Sequence, residues 1–134
     1  MSQITPLTLY DRVAHAAMTG DLTTTGAKLA LLADTYTPSA AHALWSEVSA
    51  HEIAATTGYA AGGPSIGGTV TAGVWDADDV TFALLDATFA YGVVYAGTDL
   101  IGWIEFNGGD AITIAGYDFL VRWSVAGIVK AEVV

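Results

Sequence analysis

The chain lacks cysteine altogether and contains little positive charge. Without cysteine, neither disulfide bonds nor thiolate-bound metal sites can form. Four lysine and arginine residues stand against 14 aspartate and glutamate residues, which gives a formal net charge of -10. Phosphate backbones and anionic lipids repel such a chain. We therefore expect neither nucleic acid nor a membrane surface among its partners.

Long apolar runs are missing as well. No window of about 18 apolar residues offers a transmembrane helix. Asp11, Arg12 and His15 interrupt the apolar residues near the start, and no basic stretch precedes them. We therefore expect no signal peptide. These absences predict a soluble protein that is made in the cytoplasm.

What remains is a short, apolar chain of 134 residues, of which 53% are hydrophobic and only 13% are charged. This length suits one domain with a core of its own, which we expect to span residues 1–134. So few charged side chains predict that other subunits cover part of the apolar surface.

The second half of the chain has the pattern of short β-strands. From Thr69 onward, apolar or alternating runs are separated by polar turns. TVTAGVW and VTFALL are predicted to form a hairpin around the acidic turn at residues 76–79. An earlier apolar run, Lys28 to Ala33 (KLALLA), predicts a buried strand. Six or so strands at this spacing favour a mainly β fold, an antiparallel β-sandwich or barrel.

The later strands FAYGVVYA, LIGWIEF and FLVRWSV carry most of the expected core. Their little polar surface predicts that an isolated chain leaves apolar patches exposed. Alternation within FAYGVVYA places its larger side chains on one face, namely Phe89, Tyr91, Val93 and Tyr95. Further strand aromatics are expected in the core, namely Trp103, Phe119 and Trp123.

Residues 5–20 predict one short N-terminal helix. Thr5 can cap this helix, Pro6 suits its first position and Gly20 can end it. Residues 34–68, by contrast, have no sustained period and predict a long irregular segment. A connection of this length is usually functional or held by a partner.

The stretch GGPSIGG at residues 62–68 contains a match to the G-x-S-x-G pattern of a hydrolase nucleophile elbow. Such an elbow needs a strand before the serine and a helix after it, followed by an acid and a histidine. Here a loop precedes Ser65, a strand pattern follows it, and no histidine occurs after His51. The glycines instead suit turns with positive φ. We predict a loop, with a small serine hydrolase as the remote alternative.

Metal and cofactor sites find little support in the sequence. The run HEIAA at residues 51–55 begins like the zinc motif H-E-x-x-H but ends in alanine. His42, Glu47 and His51 do not share one helical face. The acidic turn at residues 76–79 lacks the glycine and the terminal glutamate of an EF-hand. We expect no metal and no cofactor.

Two aromatic residues of the irregular segment stand out. Trp45 and Tyr59 lie outside the predicted strands. Because tryptophan and tyrosine dominate the binding energy of many interfaces, we predict that both are interface anchors. The alternative is that they simply cover the core.

Several stretches of the chain together are more specific than any single motif. They are LYDRV, KLALLADTYTPSAAHALWSEVSAHEI, TGYAAGG, DADDVTF, YGVVYAG, LIGWIEF and AGIVKAEV. In this order and at these spacings they resemble a family of small tailed-phage virion proteins, described as head decoration (cement) or tail-fibre-associated proteins. The resemblance covers nearly the whole chain, and it implies a structural role without catalytic residues.

We therefore expect a capsid decoration protein that binds the outside of the major capsid protein shell and stabilises it. The alternative is a tail or fibre-base component of the same virion. Closed symmetry would cover apolar strands, and the three-fold positions of an icosahedral shell favour a homotrimer. Residues 34–68 would then lie at the contact between copies.

Removal of divalent metal ions should leave the stability of the protein unchanged, because the acidic turn at residues 76–79 lacks an EF-hand ligand set. Thermal unfolding followed by circular dichroism should give the same Tm in EDTA and in excess calcium. A calcium-dependent rise of several degrees would instead identify a metal site at this turn.

Overall fold

Two four-stranded antiparallel sheets form the framework of the computed structural model, which describes residues 3–6, 8–13, 26–67, 69–71, 74–76, 79–123 and 130–133. The outer sheet has the order β1 (Gln3–Pro6), β10 (Lys130–Val133), β9 (Ile112–Trp123), β6 (Val80–Phe89). The middle sheet has the order β2 (Thr8–Leu9), β8 (Asp99–Glu105), β7 (Tyr91–Ala96), β3 (Ala27–Leu32). The predicted antiparallel β-sandwich is confirmed.

The main core lies between the two sheets. The outer sheet contributes Phe82, Phe89 and Phe119, and the middle sheet contributes Leu29 and Ile104, all at most 2% exposed. The rings of Phe89 and Phe119 meet at 5.1 Å and 64°, an edge-to-face geometry that aromatic pairs prefer. The outer sheet keeps the alternation typical of a sheet with one buried face, since the polar side chains of β6 are exposed.

The middle sheet is buried on both of its faces. All six residues of β7 are buried. Val94 joins the core between the sheets, whereas Tyr91, Val93 and Tyr95 belong to a second cluster on the other side. The expectation that these strands leave apolar patches on an isolated chain is therefore wrong, because the chain itself covers them.

Residues 34–67, named here the covering segment, provide that cover. They contain two short 3-10 helices, Trp45–Glu47 and Ser49–His51, and are otherwise irregular, as predicted. Side chains of the covering segment complete the second cluster together with Tyr10; they are Tyr36 and Val48, with Trp45 packed against them.

The covering segment also closes the edge of strand β3. The amide of Leu29 donates to the Pro64 carbonyl at 3.0 Å, and the amide of Ile66 donates to the Ala27 carbonyl at 2.9 Å. Further along, the amide of Ile53 donates to the carbonyl of Leu31 at 3.1 Å. An edge that is paired in this way cannot recruit another chain.

The N-terminal region differs from the prediction. Helical geometry begins at residue 11 and not at Pro6, because Gln3–Pro6 pairs with β10 and Thr8–Leu9 pairs with β8. Sheet pairing here overrides the local helix signals. Residues 14–20 of the predicted helix lie outside the described residues. No helix among the residues that are described is long and apolar enough to cross a membrane.

Two strand predictions also need correction. The run TVTAGVWD folds back on itself as β4 (Thr69–Thr71) and β5 (Val74–Asp76), whereas Val80–Phe89 pairs with β9. Phe89 does not share a face with Tyr91, since the chain bends at Ala90 and turns Phe89 into the core between the sheets. Tyr95, Trp103 and Phe119 are buried as predicted. The side chain of Trp123 lies outside the described part of the structure.

Gly63→Ala should destabilise the protein far more than the control Gly97→Ala, although both glycines have positive φ, +80° and +62°. A Cβ on Gly63 would overlap the carbonyl oxygen of Leu29, whereas a Cβ on Gly97 meets nothing within 4 Å. We expect Gly97→Ala to cost about 1 kcal/mol through its backbone alone. Gly63→Ala must also displace the covering segment and should cost more than about 3 kcal/mol. Urea unfolding of both variants tests this, and equal losses would contradict it.

Candidate interaction surface

The predicted anchor Trp45 lies at an apolar corner of the covering segment. Its indole ring stacks on the ring of Tyr95, with centroids 4.2 Å apart and planes 8° from parallel. Tyr95 is 6% exposed, whereas Trp45 is only half-buried and its neighbour Leu44 is 44% exposed. We name Leu44 and Trp45 the Leu44–Trp45 corner. This corner exposes apolar surface to solvent, and the buried ring of Tyr95 supports it from below.

Hydrogen bonds hold the backbone of this corner. The amide of Trp45 donates to the carbonyl of Thr98 at 2.9 Å. Glu47 Oε1 accepts the amides of Ala43 and Leu44 at 3.0 and 2.9 Å. These two amides hold the pKa of Glu47 below its ordinary value. A contact surface that is fixed before binding loses less conformational entropy when a partner docks.

Two carboxylates near the corner, those of Asp99 and Glu47, have partners within the chain. Arg12 Nη2 lies 3.7 Å from Asp99 Oδ2, and Arg12 Nη1 donates to the carbonyl of Leu100 at 3.0 Å. The carboxylate of Glu47 accepts backbone amides. Asp99 is therefore paired with a cation, whereas Glu47 keeps its negative charge and is held by hydrogen bonds alone.

Tyr59, the second predicted anchor, has an internal role. Its side chain is 3% exposed and lies in the core between the sheets. The hydroxyl donates to Glu52 Oε2 at 2.5 Å and accepts the amide of Leu31 at 3.2 Å. Burial raises the pKa of Tyr59, and the hydrogen bond to Glu52 raises this pKa further. The interface role of Tyr59 stays a prediction, but little of its side chain is left for a partner.

Glu52 joins Tyr59 to the glycine-rich part of the covering segment. Its Oε2 atom also accepts the amide of Gly62 at 2.6 Å. The hydroxyl of Tyr95 donates to the carbonyl of Gly62 at 2.6 Å. One carboxylate and two tyrosines thus tie the covering segment to strands β3 and β7. Sequence patterns miss this network because its members are 7 to 33 positions apart.

The two histidines considered for metal binding flank a buried tyrosine instead. Ring centroids of His42 and His51 lie 5.8 and 5.7 Å from that of Tyr36. The hydroxyl of Tyr36 hydrogen-bonds His42 Nδ1 at 3.2 Å and the hydroxyl of Tyr10 at 2.8 Å. Glu47, the third residue considered for metal binding, uses its carboxylate to accept the amides of Ala43 and Leu44. Within the described ranges, no three His, Cys, Asp or Glu residues are placed to hold a metal ion.

Ser65 is exposed and lies in the irregular covering segment, not in the strand–turn–helix of a nucleophile elbow. It forms an isolated bridge with Lys28 at the edge of β3, and the next regular element is the strand Thr69–Thr71. A groove of about 420 Å³ lies nearby, between the covering segment and the start of β6. Ser65 does not line it; the lining residues are Thr56, Gly58, Tyr59, Ala60, Gly63, Pro64, Thr81 and Phe82.

The acidic turn at residues 76–79 lies largely outside the described structure, because residues 77–78 are not described.

Comparison with protein-family models, curated proteins and solved structures gave no match.

Tyr59→Phe should destabilise the protein by about 2 kcal/mol, because it leaves the buried Leu31 amide and the Glu52 carboxylate without their partner. Tyr117→Phe is the matched control. Tyr117 is 71% exposed, and its hydroxyl should contribute less than about 0.5 kcal/mol. Urea unfolding at neutral pH compares the two variants.

Alkaline unfolding gives a second readout of the same interaction. In the unfolded chain tyrosine ionises near pH 10, whereas burial keeps Tyr59 protonated in the folded protein. The free energy of unfolding that Tyr59 contributes is fully present below about pH 10 and is lost as the pH rises further. Tyr59→Phe should therefore reduce the alkaline slope by up to about 1.4 kcal/mol per pH unit. An unchanged slope would show that Tyr59 ionises freely.

Proposed function

We propose that the chain is a structural protein of a tailed-phage virion, a capsid decoration (cement) protein. In this role it binds the outside of the major capsid protein shell and stabilises it. The resemblance of seven stretches to small virion proteins supports the proposal. A β-sandwich whose middle sheet is covered on both faces within one chain is also suited to a small rigid cap on a larger shell.

The Leu44–Trp45 corner is the single observation that carries the proposal. It combines an exposed leucine, a half-buried tryptophan stacked on the buried Tyr95, and a nearby ion pair between Arg12 and Asp99. Tryptophan at such a position is typical of interface hot spots. In our proposal this corner forms the contact between copies of the chain in a homotrimer at a three-fold position of the shell.

The proposal includes no enzymatic activity. In support, Ser65 is exposed beside Lys28, and the groove next to the covering segment does not include it. Ser65→Ala should therefore bind heads as the wild type does. Copy number in purified virions separates decoration from a tail location, since hundreds of copies indicate the former and a handful the latter.

Trp45→Ala should weaken the association of copies by at least about 2 kcal/mol, roughly thirtyfold, and should reduce head binding with it. Leu44→Ala should weaken association too, while it leaves the stack between Trp45 and Tyr95 intact. Light scattering of the free protein gives the mass, and sedimentation with heads that lack the protein gives the binding.

The matched control is Leu9→Ala, because Leu9 is 51% exposed on strand β2 and lies outside the corner. This variant should keep the mass and the head binding of the wild type. A strictly monomeric protein whose Trp45 and Leu44 variants coat heads as well as the wild type does would contradict the proposed contact.

A further inference from the structure

The solvent face of the outer sheet carries two unusually exposed apolar side chains. Tyr117 is 71% exposed on β9, and Leu84 is 61% exposed on β6. They lie at the same level of two paired strands. Leu85 is the register partner of Tyr117, and the amide of Leu84 donates to Asp118 Oδ1 at 2.9 Å. We name this surface the Leu84–Tyr117 face.

Two compensating bulges produce this face. Between the pairs Phe82–Phe119 and Leu85–Tyr117, strand β6 has one residue more than β9. Between Leu85–Tyr117 and the next pair, Asp86 with Ala115, strand β9 has the extra residue. The register is therefore the same on both sides of the irregularity. Bulges commonly redirect side chains next to functional sites, and here they bring a leucine and a tyrosine to the surface.

The backbone of Leu84 is unfavourable for leucine. Its φ is +50°, and it is a non-glycine residue in the left-handed region. Glycine adopts this geometry without cost, and the extra residue on the partner strand is in fact glycine, Gly116 at φ +80°. At 61% exposure the Leu84 side chain gains little from burial within the chain. The bulged backbone itself serves internal packing, because Gly58 of the covering segment packs against residues 83–85 and the amide of Asp86 donates to the carbonyl of Thr57 at 3.0 Å. A glycine at position 84 would allow the same backbone without strain, so the exposed leucine side chain is the feature that points to a role in binding.

The charges on this face select the partner. Within β6 and residues 112–121 the charged side chains are Asp86 and Asp118, both acidic and both exposed. Neither forms an ion pair with Arg12 or Lys28, the basic residues whose side chains are described. A second copy that met this face with its own Leu84–Tyr117 face would place these carboxylates against one another. The face therefore suits a different protein that carries basic side chains around an apolar depression.

We infer that the Leu84–Tyr117 face docks the chain on the capsid shell, at an apolar depression with lysine or arginine at its rim. This inference rests on the proposed function, because it takes the shell as the partner. The Leu44–Trp45 corner belongs to the layer that covers the opposite side of the middle sheet. Contacts between copies and contact with the shell then use separate layers of the molecule.

Binding of purified protein to heads that lack it tests the inference. Leu84→Gly removes the side chain and relieves the positive φ, so Tm should stay the same or rise while head affinity falls at least tenfold. Tyr117→Thr should keep the strand intact, because threonine suits a strand. It should also lower the affinity for heads at least tenfold. Asp86→Lys should weaken binding and reduce its dependence on salt. Leu9→Ala is the control and should change none of these quantities.

The outcomes separate this inference from the proposed function. Wild-type protein that does not bind heads overturns both. Wild-type binding that Leu84→Gly and Tyr117→Thr leave unchanged overturns only the docking face. A Tm of Leu84→Gly that is several degrees lower would assign the leucine a structural role and overturn the inference. Loss of self-association in these variants, with head affinity unchanged, would make a second copy the occupant and overturn it as well.

Discussion

The rest of the structure depends on one constraint, that both faces of the middle sheet are apolar and must be covered. The outer sheet covers one face with phenylalanine-rich packing, including Phe82 and Phe119. The other face is covered by the covering segment, which is irregular apart from two short 3-10 helices. Its length follows from this task, because it must cross the sheet, turn at the edge of β3 and return to the main core at Ile66.

An irregular layer over an apolar sheet raises a problem of hydrogen bonding, since buried backbone groups need partners. The chain meets this need with side chains of the covering segment itself and of the sheet. Glu52 accepts a backbone amide and a tyrosine hydroxyl, and Tyr95 donates to a backbone carbonyl. One group is left over, because Trp103 Nε1 is buried without a hydrogen-bond partner among the described residues. Its ring packs instead against Tyr10 at 4.8 Å.

Sequence reasoning predicted the features that depend on short-range pattern. Apolar runs located strands β3, β7 and β8 and the last part of β9, whose residues 112–118 were not predicted as strand. It failed where distant pairing decides the outcome, as at Pro6, whose partner Lys130 lies at the other end of the chain. It read the two apolar faces of β7 as surface for other subunits, since no periodicity reveals that residues such as Tyr36 and Val48 return to cover them. Trp45 could be chosen from its position outside the strands, whereas Leu84 carried no signal.

The contrast between the two exposed apolar sites bears on how the molecule could work. At the Leu44–Trp45 corner Asp99 is paired with Arg12, and the carboxylate of Glu47 accepts two backbone amides. At the Leu84–Tyr117 face the backbone is strained and the carboxylates of Asp86 and Asp118 have no basic partner among the described side chains. Complementary charge adds to apolar contact only when the partner supplies the opposite sign. We therefore propose a second copy of the chain as the partner of the first site and a basic surface of another protein as the partner of the second.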